Sequence, residues 1–169
     1  QFSLRTRPSV NYFFVGEGIS KGIEVLLQKR VGKYTGWISY TLGRVENIFP
    51  LINNGNPYVA NHDQTHEIKI VNTFSLKHWD FSGTWVYGTG KPFTKPVGEY
   101  VQSWPDGSSD TIIHIEEMNS MRLPAYHRLD LSASFHFTVR DKFKTTIGLS
   151  VFNTYNRKNV WYREFEYIE

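Results

Sequence analysis

Four groups of residues have side chains and spacings that could do chemistry. The first is "HDQTH", where His62, Asp63 and His66 bring two imidazoles and a carboxylate within five positions. That set could hold a metal ion. On an extended chain, however, His62 and His66 share a face at a separation of about 13 Å, too far to share one ion. Local hydrogen bonding at a loop-to-strand junction is the simpler account. The second group is Arg128 and Asp130, two positions apart and so on one face of a strand. They fit an acid–base pair, but more simply an ion pair facing neighbouring strands. The third is Ser132, Ser134 and His136 on that same face, the ingredients of a serine–histidine hydrolase. Nothing marks either serine as activated, and no third residue is identifiable to orient the imidazole.

The fourth group differs in kind. In "GEYVQSWPDGSSD", Tyr100, Trp104, Asp106 and Asp110 combine aromatic rings with acids in a long loop. Rings and carboxylates suit sugars, peptides or cationic chelates, so these four are the candidate ligand-binding residues. The alternative is a loop folded on its own aromatics. No residue in the chain is expected to make or break a covalent bond, and neither a metal nor a cofactor is expected.

The elements that position these groups are strands. In "RLDLSASFHF", Leu129, Leu131, Ala133, Phe135 and Phe137 alternate with Arg128, Asp130, Ser132, Ser134 and His136. Successive side chains of a strand point to opposite faces, so this segment has one apolar and one polar face. The same period of two predicts five further strands, near 19–30, 36–45, 65–77, 80–89 and 143–153. Their apolar sides carry Ile23, Val25, Leu27, Ile38, Tyr40, Leu42, Ile68, Ile70, Phe74, Leu76, Phe81, Trp85, Tyr87, Ile147, Leu149 and Val151. Their other sides carry Glu24, Leu26, Gln28, Glu67, Lys69, Thr84 and Lys144 among Gly, Ser and Thr. No helical period of useful length is present.

The connections alternate between short and long. "VGKYTG", "KHWD" and "VRDK" are tight links, whereas "ENIFPLINNGNPYVANHD" and the stretch from about 90 to 126 are long. In an antiparallel meander every short link then lies at one end and every long one at the other. Outer-membrane barrels have this asymmetry, and unstructured loops beyond about 12–15 residues are unusual in compact domains. The strands run to about 10–12 residues, where a tilted membrane-crossing strand needs about 9–11. Tyr34, Trp37, Trp79, Phe81, Phe137 and Phe143 gather beside the short links, as in an interfacial aromatic girdle.

Composition narrows the rest. The 169 residues include 12 Phe, 10 Tyr and 5 Trp, a heavy aromatic load that suits a β protein. The absence of cysteine excludes disulfides, thiolate metal sites and cysteine nucleophiles. A net charge of +3, scattered along the chain, gives no argument for nucleic acid as a partner. No apolar run approaches the roughly 18 residues of a membrane helix, so any membrane crossing must use a closed barrel.

Several segments resemble one family. "SKGIEVLLQKRVGKYTGWISYTLGRVENIF", "RLPAYHRLDLSASFHF" and "GLSVFNTYNRKN" resemble late barrel strands of TonB-dependent outer-membrane receptors, especially those of Bacteroides-like bacteria. "ANHDQTHEIKI" and "YGTGKPFTKP" sit between them in the order that the family shows. The resemblance covers about 16 to 159. It implies an all-β, up-and-down antiparallel meander of about six long strands within a transmembrane barrel of about 22. It also implies import of a scarce nutrient (an iron chelate, vitamin, glycan or peptide) and location in the bacterial outer membrane. Implied partners are membrane lipid, a plug domain of the same full-length chain, periplasmic TonB acting through that plug, and a surface lipoprotein. Glu24, Gln28, Glu67, Lys69, Arg128, Asp130 and His136 would then face the lumen. The chain, a single segment over 1–169 that begins at Gln1 and ends in "WYREFEYIE", reads as part of the barrel without its plug or last strand. Two other readings fit the alternation. One is a soluble β-sandwich that binds a ligand with its apolar face inward. The other is a plugless porin or enzyme barrel.

Overall fold

The computed structural model describes residues 15–115, 117–140 and 142–165. Eleven strands follow in chain order: β1 (Glu17–Lys29), β2 (Tyr34–Ile48), β3 (Tyr58–Val59), β4 (His66–Leu76), β5 (Trp79–Gly88), β6 (Pro92–Phe93), β7 (Pro96–Ser103), β8 (Ser109–Ile115), β9 (Met121–Arg122), β10 (Tyr126–Val139) and β11 (Phe143–Val151). Among the described residues there is no α-helix, and one 3-10 turn covers Asn53–Gly55. The six long strands form one antiparallel meander in the order β1-β2-β4-β5-β10-β11. They correspond to the six segments that the alternation predicts, with β2 carried three residues further, to Ile48.

Register shows which side chains share a face, because directly paired residues of neighbouring strands do. One row runs Leu27, Ile38, Ile70, Trp85 and Leu129, and a second runs Val25, Tyr40, Ile68, Tyr87 and His127. The opposite face carries Glu24 beside Thr41 and Glu67, then Lys69 beside Val86 and Arg128, then Gln28 in a row that ends at Thr84 and Asp130. His136 follows on that side against Thr146. The two faces predicted for each strand are therefore the two faces of the sheet. Trp37 departs from the expected aromatic girdle. It pairs with Gln28 and Val71 and so belongs to the polar face, whereas Tyr34, Trp79, Phe81, Phe137 and Phe143 lie on the apolar one. The odd positions of β2 are the polar ones, and Trp37 obeys that period.

No second layer covers the apolar face among the described residues. Leu131 keeps 44% of its surface exposed, Ile23 65% and Leu149 72%. Among the described residues the buried apolar side chains are Tyr58, Ala60 and Leu123, which lie in the long connections rather than in the six-strand meander, Tyr58 within the short β3 that pairs with the end of β2.

The connection from 89 to 125 is not the plain loop that its length suggests. β7 and β8 form a hairpin within it, and β6 pairs with β9 at its base. "WPDGSS" supplies the hairpin turn, with Gly107 at φ 88°, where a side chain would be strained. At the base, Gly90 permits a close approach of two backbones. A Cβ there would sit 1.7 Å from the Leu123 carbonyl oxygen. Gly90→Ala is expected to force the two arms apart and speed proteolysis within 89–125. Gly98→Ala, where a Cβ meets nothing within 4 Å, should leave the cleavage rate unchanged. Equal rates for both variants would remove the steric account.

Candidate functional site

The short links join their strands at one end of the sheet, and both long connections gather at the other. There the chain builds its only polar core among the described residues. Asp63 is 1% exposed. Its carboxylate accepts hydrogen bonds from the Val45 amide (2.8 Å), the Thr65 hydroxyl (3.0 Å) and Arg122 Nη2 (2.5 Å). Arg122 also donates to the Gly90 carbonyl at 3.0 Å and the Thr65 hydroxyl at 3.1 Å. One ion pair thus joins the end of the first long connection to β2 and to the base of the second.

Asn119 makes a second tie. It sits at φ 56°, a left-handed conformation that Asn tolerates. Its amide nitrogen donates to the Val59 carbonyl and to Asn61 Oδ1, and its backbone amide donates to Thr94 Oγ1. Asn53 Oδ1 accepts from the Met118 amide. Buried polar groups that are all partnered, as these are, fix one arrangement.

Asp63 therefore turns away from His62 and His66. His62 is exposed, and His66 Nδ1 lies 2.9 Å from the Tyr40 hydroxyl with the two rings stacked. No metal-binding group of His, Cys, Asp and Glu occurs among the described residues. The loop-to-strand hydrogen bonds are the arrangement found, extended by an arginine 59 positions away.

The hairpin brings together most of the aromatic and acidic set. Tyr100 pairs with Ile112 and Gln102 with Asp110, so Tyr100 and Asp110 share a face. Trp104 Nε1 donates to Asp110 Oδ2 at 3.1 Å, which uses that carboxylate to hold the indole. Asp106 closes the turn itself. Its Oδ1 accepts from the Ser108 hydroxyl at 2.6 Å and the Ser108 amide at 2.9 Å. These two bonds, the hydroxyl first, hold the Asp106 carboxyl below the usual aspartate range. Tyr100 is left at 52% exposed and Trp104 at 46%. The hairpin thus presents two rings, while Asp106 and Asp110 serve its own fold.

On the polar face, Glu67 pairs with Lys69 at 2.6 Å, and Arg128 Nη2 pairs with Asp130 Oδ2 at 2.8 Å. Asp130 Oδ1 also accepts from the Asn153 amide, which anchors the chain leaving β11. Arg30 donates to Gln28 at 2.9 Å, and Glu24 is exposed at the β1 edge. His136 makes its hydrogen bonds to neither serine. Its Nε2 lies 2.8 Å from Asp80 Oδ2 and its Nδ1 2.9 Å from Thr146 Oγ1, which bridges β5, β10 and β11. The serine–histidine arrangement is not assembled. Sequence reasoning missed Arg122, Asn119 and Asp80. "PDG" was a readable signal for the hairpin turn, but nothing in the period of two marks those three.

No protein-family model, no curated protein and no solved structure matches the chain.

The Asp63–Arg122 pair gives a stability prediction with a sign. Burial raises the Asp63 pKa. The hydrogen bonds from Arg122, the Val45 amide and Thr65, with the Arg122 charge, outweigh it and leave the value lowered. A carboxylate depressed in the folded state contributes stability above its unfolded pKa of about 3.9, and loses it as pH falls through the lower folded value. Hydrogen exchange at the Val45 amide, compared after correction for intrinsic exchange, should show protection that is constant from pH 7 to 5 and weakens only below about pH 4. Arg122→Ala should cost that amide about 3 kcal/mol of protection, because it strands a buried charge. Protection that decays already between pH 7 and 5, or is unchanged in Arg122→Ala, would remove the ion pair from this role.

Proposed function

We propose that this chain is a wall segment of a bacterial outer-membrane β-barrel, and that the barrel is a TonB-dependent transporter. The observation that carries the reading is the division of the sheet. Through the middle of the sheet, Ile, Leu, Val and aromatic side chains occupy one face across six strands with nothing among the described residues packed on them, while the Glu67–Lys69 and Arg128–Asp130 pairs lie on the other; the Arg44–Glu46 pair stands on the apolar side only at the loop end. Soluble monomers rarely expose contiguous apolar patches beyond a few hundred Å². A domain in water buries such a face against another layer. Lipid meets the same requirement directly.

Three further features support it. The long strands run from 9 residues in β11 to 15 in β2, sufficient to cross the hydrocarbon at a tilt. Short links stand at one end and long connections at the other, the asymmetry of outer-membrane barrels. Rings edge the apolar face, with Trp79, Phe81, Phe135 and Phe137 in mutual contact near the short links and Trp85 stacked on Tyr87 toward the long ones. The transporter assignment rests on the motif order that resembles TonB-dependent receptors.

In this reading the two long connections face outside, where the Tyr100 and Trp104 hairpin meets cargo: an iron chelate, vitamin, glycan or peptide. Glu24, Gln28, Glu67, Lys69, Arg128, Asp130 and His136 line the lumen, against a plug domain that TonB pulls from the periplasm. A surface lipoprotein is a further partner. The segment itself performs no covalent chemistry.

Adjacent residues on β10 test the assignment. Leu131→Arg should impair insertion by roughly 2–4 kcal/mol if the site lies near mid-bilayer. Ser132→Arg, one position along and on the other face, should reach near-normal levels in the outer membrane. Equal levels of the two variants, or the reverse order, would contradict the lipid-facing side. Immunoblots of fractionated membranes read the difference.

A further inference from the structure

Beneath the long connections, on the polar face, lies a pocket of about 240 Å³. Its floor is the row Glu67, Gly88 and Tyr126. Its lining is mostly apolar, with Leu123, Pro124 and Val160 beside the rings of Tyr126 and Trp161. Whole-cargo sites usually measure about 300–1,000 Å³, so this one is the size of a subsite for a single ring.

The charges around it are unequal. Glu67 is engaged by Lys69 at 2.6 Å. Lys91 has no carboxylate within ion-pair distance among the described residues, and its Nζ rests 4.2 Å from the centre of the Trp161 ring. The pocket therefore offers apolar and aromatic walls, one engaged acid and one ammonium that, among the described residues, rests on a π face. A charge-assisted hydrogen bond is stronger than an exposed cation–π contact. An anion arriving beside Trp161 would draw Lys91 from the ring.

The segment that brings Trp161 there is built to hold it. Asn159 donates to the His127 carbonyl and accepts from its amide, so one side chain continues the edge of β10. Arg157 Nη2 donates to the Ala125 carbonyl, and Asn153 exchanges hydrogen bonds with the Arg157 backbone. These contacts fix the chain immediately before Val160 and Trp161.

We propose that this pocket is a binding subsite for a ring-sized organic anion, a cyclic group bearing one carboxylate, with its ring against Trp161 and Tyr126 and its acid on Lys91. The site stands on the polar face whether the other face meets lipid or protein.

Three probes with the same ring and different charge test it: cyclohexanecarboxylate, cyclohexylmethanol and cyclohexylmethylamine. Each is titrated by calorimetry into the full chain, in detergent or buffer as the protein requires. The acid should bind about tenfold more tightly than the alcohol, as expected for one charge-assisted hydrogen bond, and the amine most weakly. Lys91→Gln should bring the acid to the level of the alcohol, and Lys95→Gln should leave the ratio as it was. If Lys91→Gln fails to fold, the ratios in the unmodified chain decide. Alcohol or amine binding as tightly as the acid would overturn the proposal. So would no saturable acid binding, or a ratio that Lys91→Gln leaves intact. None of these outcomes bears on membrane insertion, which fractionation reads separately.

Discussion

A sheet whose apolar face meets no second layer among the described residues depends on something else to cover that face. This constraint organises the molecule. Each long strand places branched or aromatic side chains on one side, and antiparallel register aligns them into continuous rows such as Leu27, Ile38, Ile70, Trp85 and Leu129. In water those rows would draw a second layer or another molecule onto themselves. In lipid they need none, and the backbone is satisfied by the ladders between strands. Asn72 shows how strictly polar groups on that side are managed. It stands in an apolar row beside Gly36 and Gly83, and its Oδ1 accepts from the Tyr34 hydroxyl.

With the apolar side chains of the sheet left uncovered among the described residues, order at the loop end comes from hydrogen bonds. The buried Asp63 carboxylate and the Asn119 amide tie two connections that are remote in sequence. Hydrophobic burial is non-directional, whereas a carboxylate that accepts from an amide, a hydroxyl and a guanidinium defines one geometry. Such a network suits loops that must present a surface, because it holds their bases and leaves the Trp104 and Tyr100 rings of the hairpin exposed.

The strands and their two faces were legible because alternation is a local signal: Leu129 to Phe137 reads the same in the sequence and in the sheet. The position of Trp37 was legible too, from the same period, although its proximity to a short link suggested the girdle. The hairpin of β7 and β8 was harder. "VGEYVQS" alternates weakly, and only the Pro-Asp-Gly turn marks it. The partners of Asp63, Asn119 and His136 were not legible. Arg122 lies 59 positions from Asp63, and Asp80 lies 56 from His136. Register and loop path select those partners, and both are properties of the folded chain. For the same reason the pocket at Lys91 and Trp161 carried no sequence motif.

The account turns on what the apolar face meets, and neighbouring positions report this directly. The chain contains no cysteine, so one introduced at 131 or 132 is the only thiol available for a spin label. Collision rates with oxygen, which concentrates in lipid, and with a water-soluble nickel chelate would be compared for the two labels in reconstituted membranes. The account predicts that the label at 131 meets oxygen and excludes nickel, while the label at 132 meets nickel. The same accessibility at both positions, or the opposite assignment, would contradict it and turn the apolar face toward protein.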